Sequence, residues 1–491
     1  MCTFLIFCPL FLTFEQFYSC TLNNKNNTIV QMQDSGNRKF IQLRNDYPLF
    51  IFEGFDYYFL NNRIEASFHF ILDKKTHFKP SVTFKIAANE IYDNLSEDLI
   101  KNLIFNIGMT EMISYWKAAC SPNILIKPYK LDEKKAEFWK KLFYLGLGEF
   151  FHTNGIKVLQ DKLLNFSYAN NAPSLPSNIA VELNNSNIIP IGGGKDSAVS
   201  IELLRKVNNI NIALVVNQRG ATKQVLKAGG FKEQDIFEID RRLDPMIIKL
   251  NDEGFLNGHT PFSALLAFIS SFGALLKGVS NVVLSNESSA NEASVPGTKI
   301  NHQYSKSYEF EKDFRDYFHQ NISPSINYYS LLRPLNELQI GALFSKYEKY
   351  HKVFKSCNAG SKKDIWCCKC SKCLFTYIIL SPFLKQSKMI EIFGEDLFNN
   401  ESLIEYFDQL CGFADEKPFE CVGTIDEVNA ALKHVTQNYE EDLPLLLQRY
   451  AAKSNVSIDN IKILLSEFNN EHFLTRNLTN ILKSETNAIS L

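Results

Sequence analysis

Three consecutive glycines run directly into a lysine, an aspartate and a serine: Gly192-Gly193-Gly194-Lys195-Asp196-Ser197. The apolar run Ile188–Ile191 precedes them, and helix-spaced Ile201, Leu203 and Leu204 follow, so the stretch reads as strand, tight loop, helix. Glycines let the backbone approach a bulky anion, and the start of the next helix offers N–H groups and a positive dipole end. Lys195 adds a cation for phosphate, and Asp196 a carboxylate of the kind that holds Mg²⁺. A glycine-rich turn without a ligand is the plainer alternative, and the presence of all three polar residues argues against it.

Two commoner nucleotide loops are excluded by spacing. A Walker loop wants glycine where Ile189 stands, and a dinucleotide fingerprint read from Gly192 wants glycine where Ser197 stands. The loop resembles instead the pyrophosphate-binding loop of the N-type ATP pyrophosphatases, which cleave ATP between the α and β phosphates and adenylate a substrate oxygen. That resemblance implies ATP and Mg²⁺, with Gly192, Gly193, Gly194, Lys195, Asp196 and Ser197 as ATP-binding residues.

A second group is Cys357, Cys367, Cys370 and Cys373, four of the 11 cysteines. Thiolates at this spacing wrap a tetrahedral Zn²⁺, and four of them leave no open position, which predicts a structural site. A bacterial ferredoxin would want a further cysteine at Tyr377. The cluster suits a reducing compartment better than a disulfide framework. Cys368 is a spare thiol whose side chain should diverge.

Acids and bases gather in three irregular stretches: Asn257–Ser263, Asn286–Glu292 and Asn301–Lys306. His259, His302, Glu287 and Glu292 are the available proton donors and acceptors. Lys299, Lys306, Arg315 and Arg333 are cations suited to phosphates or carboxylates. Together these stretches read as substrate contacts, with Glu287, Glu292, Lys306 and Arg333 foremost.

The elements that must position these groups follow from periodicity. Ile212–Val216, Ile236–Ile239 and Val282–Leu284 are short β-branched runs, as in buried parallel strands. They predict a doubly wound α/β sheet with ligands at the C-terminal strand ends, where Asn217 would help bind ATP and Asp240, Asn286 and Glu287 would share the crevice. Upstream, Pro48–Leu60, an Asn61-Asn62 turn, alternating Ile64, Phe68, Phe70 and Leu72, and then Val82–Ile86 predict an antiparallel sheet. Helices are expected from Ser96 and over Leu131–Phe151, and the glycines of Gly146–His152 suggest a close helix–helix contact. The expected layout is an unstructured or wrongly assigned lead over 1–45, an N-terminal α+β domain over 46–165, an ATP-pyrophosphatase-type domain over 185–385, and a helical region over 386–491. Thr424 and Glu427 carry a capping-box signature in the last of these.

With 491 residues the chain exceeds one ordinary core, and 45% hydrophobic with 22% charged residues describes a globular protein. A formal net charge of −2 argues against a nucleic-acid-binding surface. The apolar start Met1–Phe14 is too short for a membrane span, and Phe7 stands where a lipoprotein site at Cys8 would want a small residue. The expectation is a cytoplasmic enzyme without stable membrane insertion.

Several stretches together resemble one bacterial family. They are EMISYWKAACSP (Glu111–Pro122), LGLGEFF (Leu145–Phe151), PIGGGKDS (Pro190–Ser197), NGHTPFS (Asn257–Ser263), NHQYSKS (Asn301–Ser307), LRPLNELQI (Leu332–Ile340), Cys357–Phe375 and KPFECVGT (Lys417–Thr424). The family is the UDP-N-acetyl-α-D-muramoyl-L-alanyl-L-glutamate epimerases of peptidoglycan synthesis, and the likeness runs from about residue 45 onward. It implies conversion of the terminal L-Glu of UDP-MurNAc-L-Ala-L-Glu to D-Glu, with ATP giving AMP and diphosphate. The proton-transfer residues do not follow from the sequence; His259 and His302 are the expected pair, with Lys195 and Asp196 serving the adenylation. The alternatives are a 7-cyano-7-deazaguanine synthase-like enzyme, an RNA-thiolating enzyme that would need a basic face, and a non-enzymatic nucleotide sensor.

Overall fold

The computed structural model describes residues 35–86, 95–207, 209–454 and 461–491. The apolar start Met1–Phe14 lies outside the described residues. Residues 35–46, where composition suggests a disordered lead, are helical. Arg44 there donates to the carbonyl oxygens of Cys120, at 2.6 Å, and Leu163, at 2.8 Å, which ties the helix to the body of the protein.

Among the described residues eleven strands form one sheet: β1 (Leu49–Leu60), β2 (Arg63–Ile71), β3 (His77–Phe78), β4 (Ser81–Lys85), β5 (Asn123–Ile126), β6 (Asn165–Tyr168), β7 (Asn184–Pro190), β8 (Asn211–Val216), β9 (Ile236–Arg242), β10 (Val279–Leu284) and β11 (Asn327–Ser330). The order is β11-β10-β7-β8-β9-β4-β2-β1-β5-β6, with β3 beside β2. β11 through β9 are mutually parallel. β4, β2 and β1 are antiparallel neighbours, and β5 and β6 extend β1 in parallel. The fold is therefore α/β on a mixed, mostly parallel sheet. β4 pairs antiparallel with β9, Ser81 opposite Arg242, so the N-terminal strands continue the parallel ones without a break.

Alternation sets the layers. Ile188, Leu214 and Val282 point into one apolar cluster, and their neighbours Ile189, Val215 and Val283 into another on the opposite face. The Phe262–Leu276 and Tyr308–Asn321 helices cover the first face. The Lys195–Leu204 and Glu337–Ser345 helices and the helices after residue 385 cover the second. Both faces are thus buried, which is why these strands read as continuous apolar runs. The chain moves from β7 to β8 on one side while β10 pairs with β7 on the other. In doubly wound sheets such a reversal is where ligands bind, beyond the carboxyl end of the strand, and the glycine loop lies at that end of β7.

Two expected helices hold their signatures. Ser96 caps Glu97–Trp116 through Leu99 N, and Thr424 and Glu427 form a reciprocal capping box at Ile425–Gln437. The run over Leu131–Phe151 divides instead into Glu133–Gly146 and Gly148–Thr153, parted at Leu147. A Cβ on Gly146 would come within 2.9 Å of Pro261 Cγ, so glycine admits the Asn257–Ser263 loop against this break. Among the described residues no helix is long and apolar enough to cross a membrane.

Candidate active site

β7 ends at Pro190, and Gly192–Gly194 turn the chain into the Lys195–Leu204 helix. Gly193 has φ of +89°, and a Cβ there would lie 2.9 Å from Thr222 N. The Gly192 N–H donates to Ser197 Oγ at 3.3 Å, and Lys355 N donates to Gly193 O at 3.0 Å. No side chain caps the helix start, so its first-turn N–H groups suit an anion.

The loop's charged residues divide the work differently from the sequence expectation. Lys195 is expected to meet phosphate, yet it is 1% exposed and its ammonium is enclosed by Asp196 and Glu337. Burial pulls its pKa down, but those two carboxylates outweigh burial and raise it. Asp196 remains 31% exposed. Burial pushes its pKa up, while Lys195 and Lys372 bring it below the ordinary carboxylate value. The result is an ionised, accessible carboxylate of the kind that binds a divalent cation. Glu337 goes the other way: burial raises it to about 7, with Lys195 opposing and Asp196 and Glu287 adding to the rise. Glu287 is also raised, by burial and by Asp196.

Beside the loop is a second cluster. His302 Nδ1 contacts Glu149 Oε2, and His259 Nδ1 lies 3.4 Å from the same oxygen. The two imidazole centroids are 4.4 Å apart. Glu149 opens the Gly148–Thr153 helix, so the Gly146–His152 stretch delivers a carboxylate to the site besides making a close contact. Burial lowers His259 to about 3, helped by repulsion from His302, Lys117 and Lys306, and keeps it neutral. His302 is also penalised by burial, but Cys421 and Glu149 raise it to about 9. Glu149, His259 and His302 bring three ligand-type atoms within 4.8 Å. The neighbouring lysines disfavour a cation there and favour a hydrogen-bonded acid–base group.

Cys421 completes this cluster, and sequence reasoning left it unassigned. Lys306 Nζ donates to Cys421 Sγ at 3.0 Å, and Lys372 donates to its carbonyl oxygen. The segment Lys417–Thr424 is clasped from several sides. Lys417 N donates to Ser294 O at 3.0 Å, and Gln303 Nε2 to Val422 O at 3.2 Å. Glu427 accepts from Ser289 Oγ and from Glu337 N, each at 2.6 Å. A signal for this residue exists in the sequence: a cysteine in a Pro- and Gly-bounded stretch just before a capping box, too irregular to be a helix face.

Other expected contacts are spent on structure. Arg333 is fully buried, and its guanidinium holds Glu311 at 2.8 Å, Glu287 O at 2.6 Å and Lys306 O at 2.5 Å. It therefore fixes the backbone of two site residues instead of reading substrate. The Asn217 side chain clamps Arg241, accepting from its N at 2.7 Å and donating to its O at 3.0 Å. Glu292 is paired with Lys417 at a partly exposed edge. Arg315 donates to Tyr328 O and lies 4.2 Å from the Phe473 ring centroid, while Lys299 lines a surface cavity with Ile300 and Thr298.

The four cysteines form a compact set, with Sγ separations of 3.9 Å for Cys357–Cys370, 3.8 Å for Cys367–Cys373 and 3.5 Å for Cys370–Cys373. A zinc tetrahedron with Zn–S of about 2.3 Å has S···S edges of about 3.8 Å, so the donor set fits. Gly360 N donates to Cys357 Sγ at 3.0 Å. Cys368 diverges: its φ is +56° and its thiol donates to Phe393 O at 3.3 Å.

Residues 42–331 match the MurL N-terminal domain and residues 353–460 the MurL C-terminal domain. Over 355 residues, 71% of this chain and 77% of the relative, the protein is 36% identical to the UDP-N-acetyl-alpha-D-muramoyl-L-alanyl-L-glutamate epimerase of Xanthomonas oryzae pv. oryzae. The protein of that name from a Micromonospora species is 35% identical over 395 residues, covering 78% and 86% of the two chains. That from Salinispora tropica is 31% identical over 384 residues, covering 75% and 81%. No solved structure matches. Matches this long, covering most of the chain, mean that the chain belongs to the UDP-N-acetyl-α-D-muramoyl-L-alanyl-L-glutamate epimerase family.

Proposed function

We propose that the protein uses ATP to epimerise the terminal L-Glu of UDP-MurNAc-L-Ala-L-Glu to D-Glu, releasing AMP and diphosphate. The observation that carries this reading is a shared set of charges. Lys306 and Lys372 act both on Asp196 of the glycine loop and on Cys421 beside the histidines. In this reading the glycine loop would hold the nucleotide and the histidine group would move the proton, and the shared lysines support a reaction that activates a carboxylate and then deprotonates its neighbour.

The chemistry explains the pairing. An α-hydrogen beside a free carboxylate is very weakly acidic, because its removal places a second negative charge on one small group. Adenylation replaces that charge with a mixed anhydride, which delocalises the carbanion as an enolate. In this reading Gly192–Gly194 and the following helix start cradle the leaving diphosphate, and Lys306 and Lys372 offset developing charge. Asp196, held ionised by Lys195, would hold Mg²⁺, which when bound screens the phosphates. The Glu149–His259–His302 group moves the proton, and hydrolysis of the anhydride releases AMP. Cys357, Cys367, Cys370 and Cys373 would hold a structural Zn²⁺ that braces the Ser371–Leu380 helix, on which Lys372 sits. The same reading makes the parallel half of the sheet an ATP-pyrophosphatase-type domain and places the protein in peptidoglycan precursor synthesis in the cytoplasm. Heterocycle-adenylating and RNA-thiolating enzymes have no use for the imidazole–carboxylate group.

The test is incubation with ATP, Mg²⁺ and UDP-MurNAc-L-Ala-L-Glu in D₂O. AMP and diphosphate should form, and the glutamate α-carbon should gain one deuterium. Diphosphate without label removes the epimerase; absence of AMP removes the reading altogether.

A further inference from the structure

We infer that Cys421 is a catalytic residue of the epimerisation, its thiolate taking the α-proton from one face of the activated glutamyl unit. This rests on the function proposed above and deepens it. Cys421 adjoins a run of acid–base groups: His302 is a charged neighbour of its thiol, His302 Nδ1 is hydrogen-bonded to Glu149, and Glu149 lies 3.4 Å from His259. That is a nucleophile or base, an imidazole and an orienting carboxylate in sequence, the arrangement that activates thiols in unrelated enzymes. Lys306 Nζ, 3.0 Å from Sγ, supplies a second positive partner. Burial alone would raise the thiol, yet Lys306, His302 and Lys372 bring it down to about 5. Buried Cys120 and Cys411 also have cations nearby, Arg44 and Lys117 for the one and Lys453 and Arg449 for the other, yet there burial prevails and pushes the thiol upward.

Placement supports a role in chemistry. The thiol stands between the lysines that serve the nucleotide loop and the imidazole pair, where an adenylated carboxylate and its α-carbon would lie. The proton balance closes. The thiolate accepts the α-proton and becomes a thiol, and the C–H electrons enter the enolate of the acyl adenylate. The mobile proton of the His302–Glu149–His259 side is delivered to the opposite face. The thiol then passes its proton to the now neutral His302, which restores the starting charges. His302 is 13% exposed in its side chain, so that proton exchanges with solvent.

The experiment compares wild type, Cys421→Ala and Cys421→Ser with ATP, Mg²⁺ and UDP-MurNAc-L-Ala-L-Glu in D₂O, following AMP and α-deuterium separately. Both variants should lose α-deuterium incorporation by about 10²-fold or more, while AMP formation falls far less. Incorporation at the wild-type rate overturns the inference. So does an equal fall in both readouts, which would make Cys421 structural. So does a substrate–Cys421 adduct in acid-quenched wild type, which would make it an acyl carrier. A second measurement needs no variant: iodoacetamide should alkylate Cys421 of the wild type with a half-point near pH 5, and a half-point near an ordinary thiol value overturns the inference. If wild type itself forms no AMP or takes up no label, the proposed function fails instead.

Discussion

Lys195 and Glu337 are 142 residues apart in sequence and joined in an ion pair that leaves each 1% exposed. The pair anchors the glycine loop to the Glu337–Ser345 helix. Glu337 is raised to about 7, chiefly by burial. A carboxyl whose folded pKa exceeds its unfolded value binds more protons folded, so it costs stability as pH rises from its ordinary value through about 7. Glu337→Gln should therefore gain on wild type in thermal unfolding between pH 4.5 and 7, and level off above. Lys195→Ala, which leaves a buried carboxylate unpaired, should destabilise by about 3–5 kcal/mol at pH 8. Unfolding followed by circular dichroism checks both.

Asp196→Ala should reduce AMP formation by at least about 10²-fold while thermal unfolding stays near wild type, because the side chain is partly exposed. A coupled diphosphate assay and a melting curve decide it. AMP formation at the wild-type rate would mean the loop has been misassigned.

The rate should be bell-shaped in pH. Cys421 is brought down to about 5 and His302 up to about 9, so thiolate and imidazolium coexist between these values. The limbs of kcat/KM should fall below and above that window. Stability follows the same signs: the His302 contribution is complete below its ordinary 6.5 and lost as pH rises through about 9. The Cys421 contribution is lost as pH falls through about 5. Glu149→Gln removes one of the two groups that raise His302, so the alkaline limb should move to lower pH.

Metal analysis of purified protein should find about one zinc per chain, and Cys370→Ser or Cys373→Ser should lose it and unfold at a lower temperature. Cys368→Ser should keep the metal, since that thiol bonds to Phe393 O and lies off the cluster.

Gly193→Ala places a Cβ 2.9 Å from Thr222 N at a φ of +89°. The strain is about 1–3 kcal/mol and falls on the loop itself. The KM for ATP should rise more than the melting temperature falls.

What the sequence discloses, and what it hides, follows from distance along the chain. The glycine loop and the four cysteines are legible because each is set by short spacing. The parallel strands are legible because burial on both faces makes them continuously apolar. The β4–β9 pairing that fuses the two sheets is not, since either strand alone would serve as an edge. Glu149, Glu337 and Cys421 are hidden for a related reason: 153 residues separate Glu149 from His302, and 115 separate Lys306 from Cys421. Nothing local marks them as partners. Arg333 shows the converse error, because a cation in a polar stretch looks available until its guanidinium is seen filled by Glu311 and two carbonyls.

The segment Lys417–Thr424 joins the site from far along the chain, well after the glycine loop, both histidines and the cysteine cluster. During translation, a ribosome-bound intermediate ending before it would already contain the glycine loop, both histidines and the cysteine cluster, yet lack the thiol, Lys417 and the Glu427 clasp. If Cys421 takes the proton as inferred, such a nascent chain would lack the proton transfer until this segment is made.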